Sequence, residues 1–284
     1  MKLDKAFKEL EKELDAIEKM GDRQIIYNNI EALERTNNLI SDFYVKYANK
    51  DGQIALEEFR KYDRGRKLKK RLAEALYAAT REDNKLTRQI LKDTFKRSYK
   101  GTVGVMEKAF QEKQAREVIS IKKDYSSSSS VNKKIEGLSW AERNNRNRNK
   151  VVREINTKVI KGMENGETYH QVANKLVDAL DIKMNDALTI ARTEGHRVRS
   201  DAKEAALEEI HKAGGTANKK WLSMNDERVR TNHVDMHGQI VGMNEDFQSP
   251  SGASGPSPGN LGDPAEDINC RCVMVLTFDE KTMG

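Results

Sequence analysis

The stretch NCRCVMVLTF, residues 269–278, decides how the end of this chain folds. Its side chains alternate in a way that is typical of a β-strand with one buried face. The alternation places Cys270, Cys272, Met274 and Leu276 together on one face. Two shorter strand patterns precede it, in KKWLSM and GQIVGM, and a long Gly/Ser/Pro loop contains all four prolines. The sequence therefore predicts a small antiparallel sheet.

Helical periodicity dominates the rest of the chain. Apolar residues recur at three- and four-residue steps from Leu3 to about residue 114, and proline is absent from this half. Gly21 is expected to end the first helix, and Gly101 and Gly104 to interrupt a later one. A long amphipathic helix is expected over about 184–213.

Helices followed by a small sheet make the predicted fold class α+β. The polar, low-complexity stretch KKDYSSSSSVNKK is typical of an exposed loop or hinge. We predict an elongated helical N-terminal domain over 1–121 and a Ser-rich polar hinge over 122–137. An α+β domain follows over 138–284, in which a helical segment packs on the small antiparallel sheet.

Composition excludes several classes of protein. Of the 284 residues, 34% are charged and 37% are hydrophobic, a mixture too apolar and too regularly patterned for a wholly disordered chain. Two cysteines cannot form a disulfide scaffold. No run approaches 18 consecutive apolar residues, so no membrane-spanning segment is expected. The charged first 20 residues lack a secretory signal pattern, and we expect a soluble protein made in a reducing cytoplasm.

The net charge of +6 is concentrated in two basic runs, RGRKLKKR at 64–71 and RNNRNRNKVVR at 143–153. Each is either a solvated helix face or a surface that contacts phosphates without reading sequence. No aromatic residue interrupts either run, so base stacking is not indicated. The candidate DNA-contact residues are Arg64, Arg66, Lys67, Lys69, Lys70, Arg71, Arg143, Arg146 and Arg148.

Two histidines and the two cysteines form a candidate metal site. His233 and His237 lie four residues apart in HVDMH, and the loop that follows can bring His233 beside Cys270 and Cys272. Two thiolates with one or two imidazoles suit tetrahedral zinc. The alternative is that both cysteines are small buried apolar side chains. HVDMH is not a zinc-protease signature, because Val234 stands at the position of the general base.

A further hypothesis concerns the charges in ARTEGHR, residues 191–197. Buried charges need partners, and the segment DERVR at 226–230 offers them. We expect one pair between Glu194 and an arginine, and one between Arg192 and Asp226, to brace the long helix against the sheet.

Taken in order, ARTEGHR, then WLSMNDERVRTNHVDMHG at 221–238, then a Gly/Pro loop and INCRC, resemble the phage Mu F-like head-morphogenesis family of minor head or minor capsid proteins. The resemblance covers about 150–278. The residues that match the family's structural motif are Arg192, Thr193, Glu194, Trp221, Asp226, Arg228, Arg230, His233, Gly238, Cys270, Arg271 and Cys272. Relatives with a fuller metal pattern have further Cys and His ligands where this chain has Arg230, His233 and Asp267.

The resemblance implies a role in procapsid assembly, with the portal protein and the capsid or scaffold as partners. It also implies a place in the capsid interior of the virion, after synthesis in the host bacterial cytoplasm. There the protein would contact packaged double-stranded DNA and be ejected with that DNA at infection. We expect no catalysis, because the sequence offers no nucleophile with its base and no phosphate-binding Gly-rich loop. The alternative is a zinc-binding nuclease or other metal-dependent enzyme that uses His233, Asp235 and His237.

Overall fold

A computed structural model describes residues 3–113, 121–122, 125–224 and 226–278. The helices are α1 (Leu3–Tyr47), α2 (Leu56–Arg60), α3 (Arg64–Lys113), α4 (Ser128–Val131), α5 (Trp140–Glu164), α6 (Tyr169–Lys212), α7 (Thr231–Asp235) and α8 (Pro264–Asp267). The strands are β1 (Asn218–Leu222), β2 (Ile240–Val241), β3 (Phe247–Gln248), β4 (Ser254–Gly255) and β5 (Val273–Thr277). The predicted α+β class is confirmed.

The chain divides into two compact units. Unit 1 comprises residues 1–20, 88–133 and 191–284, and unit 2 comprises 21–87 and 134–190. The predicted division at 1–121, 122–137 and 138–284 stays a prediction. Among the described residues, no helix combines the length and the apolar character that crossing a bilayer requires.

The first two long helices are longer than predicted, because the glycines expected to end or interrupt them lie inside them. Helix α1 is 45 residues long and includes Gly21, and α3 is 50 residues long and includes Gly101 and Gly104. A glycine costs a helix only about 1 kcal/mol relative to alanine, and tertiary packing overrides that cost here. In unit 1 a side chain at position 101 would meet Leu10, because its Cβ would lie 2.3 Å from Leu10 Cδ1. Gly101 therefore lets α1 and α3 approach closely.

Unit 2 has a core of apolar side chains from four of the long helices. Its buried residues include Ile40 on α1, Leu72 on α3, Ile155 on α5 and Leu176 on α6. Side chains three or four residues apart on each helix share one face, so the core forms a continuous stripe.

A buried ion pair crosses the core of unit 2. Lys183 and Asp83 are almost completely buried, and Lys183 Nζ lies 3.3 Å from Asp83 Oδ2 and 2.7 Å from Asn29 Oδ1. Burial lowers the pKa of Lys183, and the Asp83 carboxylate opposes that shift. The pair lets a charged residue lie in an apolar core.

Unit 1 contains the small sheet, with strand order β2-β1-β5 and both pairings antiparallel. Trp221 on β1 lies opposite Met274 on β5. A separate hairpin pairs β3 with β4. Strand β5 begins at Val273, so the cysteines precede it rather than lie within it as predicted. The predicted facing of their side chains is nevertheless observed, since Cys270 and Cys272 are 1% and 2% exposed beside Trp221, Phe247 and Met274.

The Ser-rich segment is less exposed than expected. It contains the short helix α4, in which Ser130 and Val131 are buried. The Ser130 carbonyl accepts a hydrogen bond from Arg197 Nη2 at 2.7 Å. This part of the predicted hinge is therefore held against α6 within unit 1.

The two glycines in α3 give a matched test of helix packing. Gly101→Ala should destabilise the protein by about 1–3 kcal/mol, because the added methyl collides with Leu10. Gly104→Ala meets no atom within 4 Å and should stabilise it by about 0.5–1 kcal/mol through reduced backbone entropy in the unfolded chain. Urea unfolding followed by circular dichroism measures both. Changes of the same sign in the two variants would contradict the packing role of Gly101.

Candidate functional site

The candidate metal centre consists of His233, Cys270 and Cys272. His233 lies in α7, a single helical turn, and the cysteines lie just before β5. His233 Nδ1 is 3.7 Å from Cys270 Sγ and 3.5 Å from Cys272 Sγ. All three side chains are buried, and one ligand atom from each lies within 4.8 Å of the others. The structure thus brings together three of the four predicted ligands.

A buried carboxylate supports the opposite side of the histidine ring. Glu266 Oε2 lies 2.8 Å from His233 Nε2, and Asn232 Nδ2 donates to Glu266 Oε1 at 3.1 Å. No sequence pattern predicted Glu266, because α8 is only one turn long and carries no recognisable motif. A histidine with one ring nitrogen beside a carboxylate and the other facing thiols resembles a metal-ligating histidine with its supporting carboxylate.

The two thiols have opposed proton affinities. The pKa of Cys270 is well below its ordinary value, chiefly because the Cys272 S–H donates to its sulfur, and His233 adds to the shift against the effect of burial. The same hydrogen bond, together with burial, raises the pKa of Cys272. Burial works to lower the pKa of His233, but its contacts with Cys270 and Glu266 raise it overall. Cys270 therefore loses its proton more readily than Cys272.

The distances suit a tetrahedral ion. With Zn–S near 2.3 Å and Zn–N near 2.0 Å, tetrahedral zinc separates a sulfur from a nitrogen by about 3.5 Å. The observed separations between His233 and the two sulfurs are 3.5 Å and 3.7 Å. The donor set of one imidazole and two thiols is also one that zinc prefers. The residues present therefore fit the metal that the sequence suggested.

His237, the fourth predicted ligand, and Asp267, which stands where some relatives have a ligand, have other partners. His237 is exposed, and its Nδ1 lies 3.1 Å from the Ser223 backbone nitrogen and 3.0 Å from its hydroxyl. The Asp267 carboxylate accepts hydrogen bonds from the backbone N–H groups of Leu261 and Gly262. Neither residue joins the three-residue group, so the histidine pair in HVDMH does not act as one unit.

Trp221 lies at the centre of this small core. Its ring meets His233 edge to face with centroids 5.3 Å apart, and it packs in the same way against Phe247 at 5.4 Å. The Trp221 carbonyl accepts from the Gly238 N–H at 2.8 Å. Gly238 has a φ of 84°, a conformation that glycine adopts without strain. This turn returns the chain from α7 to β2.

The charged motif residues have partners other than those expected. Asp226 forms a two-pronged ion pair with Arg271, and this hydrogen bonding lowers the pKa of Asp226. Arg230 donates to the carbonyls of Glu266 and Ile268. Arg228 is exposed, and its backbone N–H donates to Asp226 Oδ1. These contacts tie the 226–230 turn to the segment that carries the cysteines.

The bracing hypothesis is corrected at Glu194. Its carboxylate accepts two hydrogen bonds from Arg197, three residues further along the same helix, whereas an arginine from the sheet was expected. The hypothesis assigned Asp226 to Arg192, yet the Asp226 carboxylate holds Arg271. Arg197 reaches another element, through the Ser130 carbonyl.

The first basic run lies at the start of α3. Four of its members line an open cleft of about 760 Å³ at the end of α1, namely Arg64, Lys67, Lys70 and Arg71. We call this cleft the basic cleft. Arg66 instead pairs with Asp63 at 2.8 Å. Lys69 is half-buried on another face of the helix and does not line the cleft.

The second basic run is less available to a partner. The Arg148 guanidinium stacks 4.4 Å from the Tyr77 ring centroid and donates to Asn145 and Asn149. Burial lowers the pKa of Arg148. Arg143 is half-buried, and Arg146 is exposed. Tyr77 follows Arg71 by six residues on α3, a rise of about 9 Å along that helix.

Comparison with known proteins identifies the segment that carries the motif. Residues 153–275 match the family described as Phage Mu protein F like protein. The minor head protein GP7 of Bacillus phage SPP1 is 33% identical over 134 residues, which is 47% of this chain and 43% of that protein. An NAD(+)–arginine ADP-ribosyltransferase of Enterococcus faecalis, EFV, is 30% identical over 149 residues, which is 52% of this chain and 30% of that protein.

The chain thus spans less than half the length of each of these two relatives. No solved structure matches it. The matched segment includes every motif residue from Arg192 to Cys272, so the resemblance inferred from ARTEGHR, DERVR and CRC is confirmed. Residues 153–275 are therefore similar to the phage Mu protein F-like family, and one of the relatives that share this segment is named as a minor head protein.

Proposed function

We propose that this protein is a phage minor head protein that acts in procapsid assembly, bound to the portal protein or to the inner surface of the capsid, and enclosed in the virion. The observation that carries the proposal is the 33% identity to a protein named as a minor head protein, across the matched family segment. This match covers part of each chain and supports a shared domain. From that shared domain we propose the assembly role and its partners.

The structure of the matched segment supports a role without catalysis. His233, Cys270 and Cys272 are each no more than 2% exposed, and Trp221 covers the histidine ring. A substrate would have to displace this core to reach the sulfurs. The nuclease alternative required His233, Asp235 and His237 to converge, but His233 is buried whereas Asp235 and His237 are exposed. We therefore propose that the centre holds the fold together.

We also propose contact between the protein and packaged DNA. The residues that make this contact are the cations of the basic cleft, whose positive side chains can neutralise phosphates and release counterions. Arg146 is the exposed member of the second run. Such contact does not depend on sequence and weakens as the salt concentration rises.

Co-sedimentation tests the assembly role. The protein, mixed with the portal protein and procapsids of its phage, should sediment with one of them at physiological salt. A basic protein of similar net charge is the control for electrostatic adhesion. Recovery of the protein only in the supernatant, with both partners intact, would overturn the proposed assembly role.

We propose that zinc joins His233 to the two cysteines, and metal analysis tests this. Protein purified from zinc-supplemented cells should contain about one zinc per chain. Cys272→Ser should lose the metal and melt at a lower temperature. His237→Ala, the matched control outside the centre, should retain both the metal and the melting temperature. Metal-free wild-type protein would instead show that the cysteines are buried thiols.

A further inference from the structure

Tyr62 has a strained backbone and an exposed ring. Its φ is 51° and its ψ is 33°, and Asp63, the next residue, has a φ of 58°. Two successive non-glycine residues in the left-handed region are unfavourable, and such strain concentrates at functional sites. The Tyr62 side chain is 73% exposed, so burial of its ring does not offset the strain.

Packing beneath the turn holds Tyr62 in place. The chain passes from α2 to α3 through the three residues of a 3₁₀ turn, Lys61–Asp63. Phe59 is buried against Gly65, where any Cβ would come 2.3 Å from the phenyl ring. Because Phe59 and Gly65 fix both ends of the turn, the ring of Tyr62 is held at the rim of the basic cleft, which it lines.

The basic cleft carries an excess of positive charge. Its lining includes the carboxylates of Asp42 and Glu74 and five cationic side chains. Glu74 lies 3.8 Å from Lys70, and Arg64 pairs with Glu58. The other three cations have no ion-pair partner among the described residues: Lys46, Lys67 and Arg71. The cleft therefore suits an anionic ligand.

Aromatic rings and a guanidinium lie side by side in the cleft. The Arg64 guanidinium is 4.2 Å from the Tyr47 ring centroid and 5.4 Å from that of Tyr62. Nucleobases stack on tyrosine rings and on guanidinium planes. Base stacking was not predicted from the sequence because both tyrosines lie outside the basic run, with Tyr62 two residues before it.

We propose that the basic cleft binds an unpaired nucleobase together with its phosphate, supplied by single-stranded DNA or by a free nucleotide. Tyr62 stacks on the base, and Lys67 and Arg71 neutralise the phosphate. This inference refines the DNA contact proposed above. Duplex DNA buries its bases in the stack, so it can engage the cations of the cleft but not Tyr62.

Fluorescence anisotropy tests the proposal with a labelled 12-nucleotide oligo-dT and a 12-base-pair duplex. The single strand should bind more tightly than the duplex. Tyr62→Ala should weaken single-strand binding about fivefold or more and leave duplex binding unchanged, whereas Tyr62→Phe should bind as the wild type does. Unchanged circular dichroism and melting temperature confirm that the variants are folded.

A pair of lysine variants separates the cleft from general electrostatics. Lys67→Ala should weaken single-strand binding more than Lys69→Ala, because the two remove equal charge from one basic run and only Lys67 lines the cleft. Competition by dTMP distinguishes the two sources: displacement at concentrations near that of the oligonucleotide assigns the cleft to a free nucleotide, and displacement only in large excess assigns it to a strand.

Wild-type affinity in Tyr62→Ala, or equal losses in the two lysine variants, would overturn the nucleobase site. If duplex binding then persists, the broader DNA contact survives. Failure of both DNAs to bind would overturn both proposals and leave the co-sedimentation result unaffected.

Discussion

Buried charge on α6 is the constraint on which the architecture of unit 1 depends. Glu194, Arg197, Arg199 and Lys203 are each no more than 3% exposed. A buried charge without a partner costs several kcal/mol. Each of these side chains therefore needs a hydrogen-bond or ion-pair partner. For each of the three cations, at least one such partner lies on an element other than α6. The positions of those elements follow from this requirement.

The partners come from every part of unit 1. Arg197 holds the Ser130 carbonyl. Arg199 bonds to carboxylates along the first turns of α1, including Asp15 at 2.8 Å. Lys203 donates to the Met274 carbonyl of β5 at 2.8 Å, and burial lowers its pKa against the opposing charge of Glu11. Between them, Ser200 donates to the Pro258 carbonyl. The Gly/Pro loop, β5 and α1 are thus all fastened to one helix.

This arrangement explains why so small a sheet can be well defined. Its strands have five, two and five residues, too few to bury much apolar surface. The core around Trp221, His233 and the two cysteines closes one side, and Lys203 engages a β5 carbonyl. The buried core and the contacts of the α6 charges thus both fix the end of the chain.

The sequence predicted the features that depend on local pattern. It predicted the alternation of side chains near the end of the chain and the approach of His233 to the cysteines. It also predicted the family resemblance from the order of the ARTEGHR, DERVR and CRC motifs. Features set by tertiary contacts were not. Gly101 does not break its helix because Leu10 packs against it, and Glu194 pairs within α6 rather than with the sheet. The places of Glu266 beside His233 and of Tyr62 at the basic cleft depend on tertiary contacts, so local sequence pattern did not predict them.

The stability of an Arg197→Met variant tests the central claim most directly. Arg271→Met is the matched control, because Arg271 also pairs with a carboxylate but at a half-exposed site. If buried charge organises unit 1, Arg197→Met removes the two hydrogen bonds that the buried Glu194 carboxylate accepts from Arg197 and lowers the free energy of unfolding by about 3 kcal/mol or more, whereas Arg271→Met lowers it by about 1 kcal/mol or less. Equal losses below about 1 kcal/mol in both variants would contradict the account.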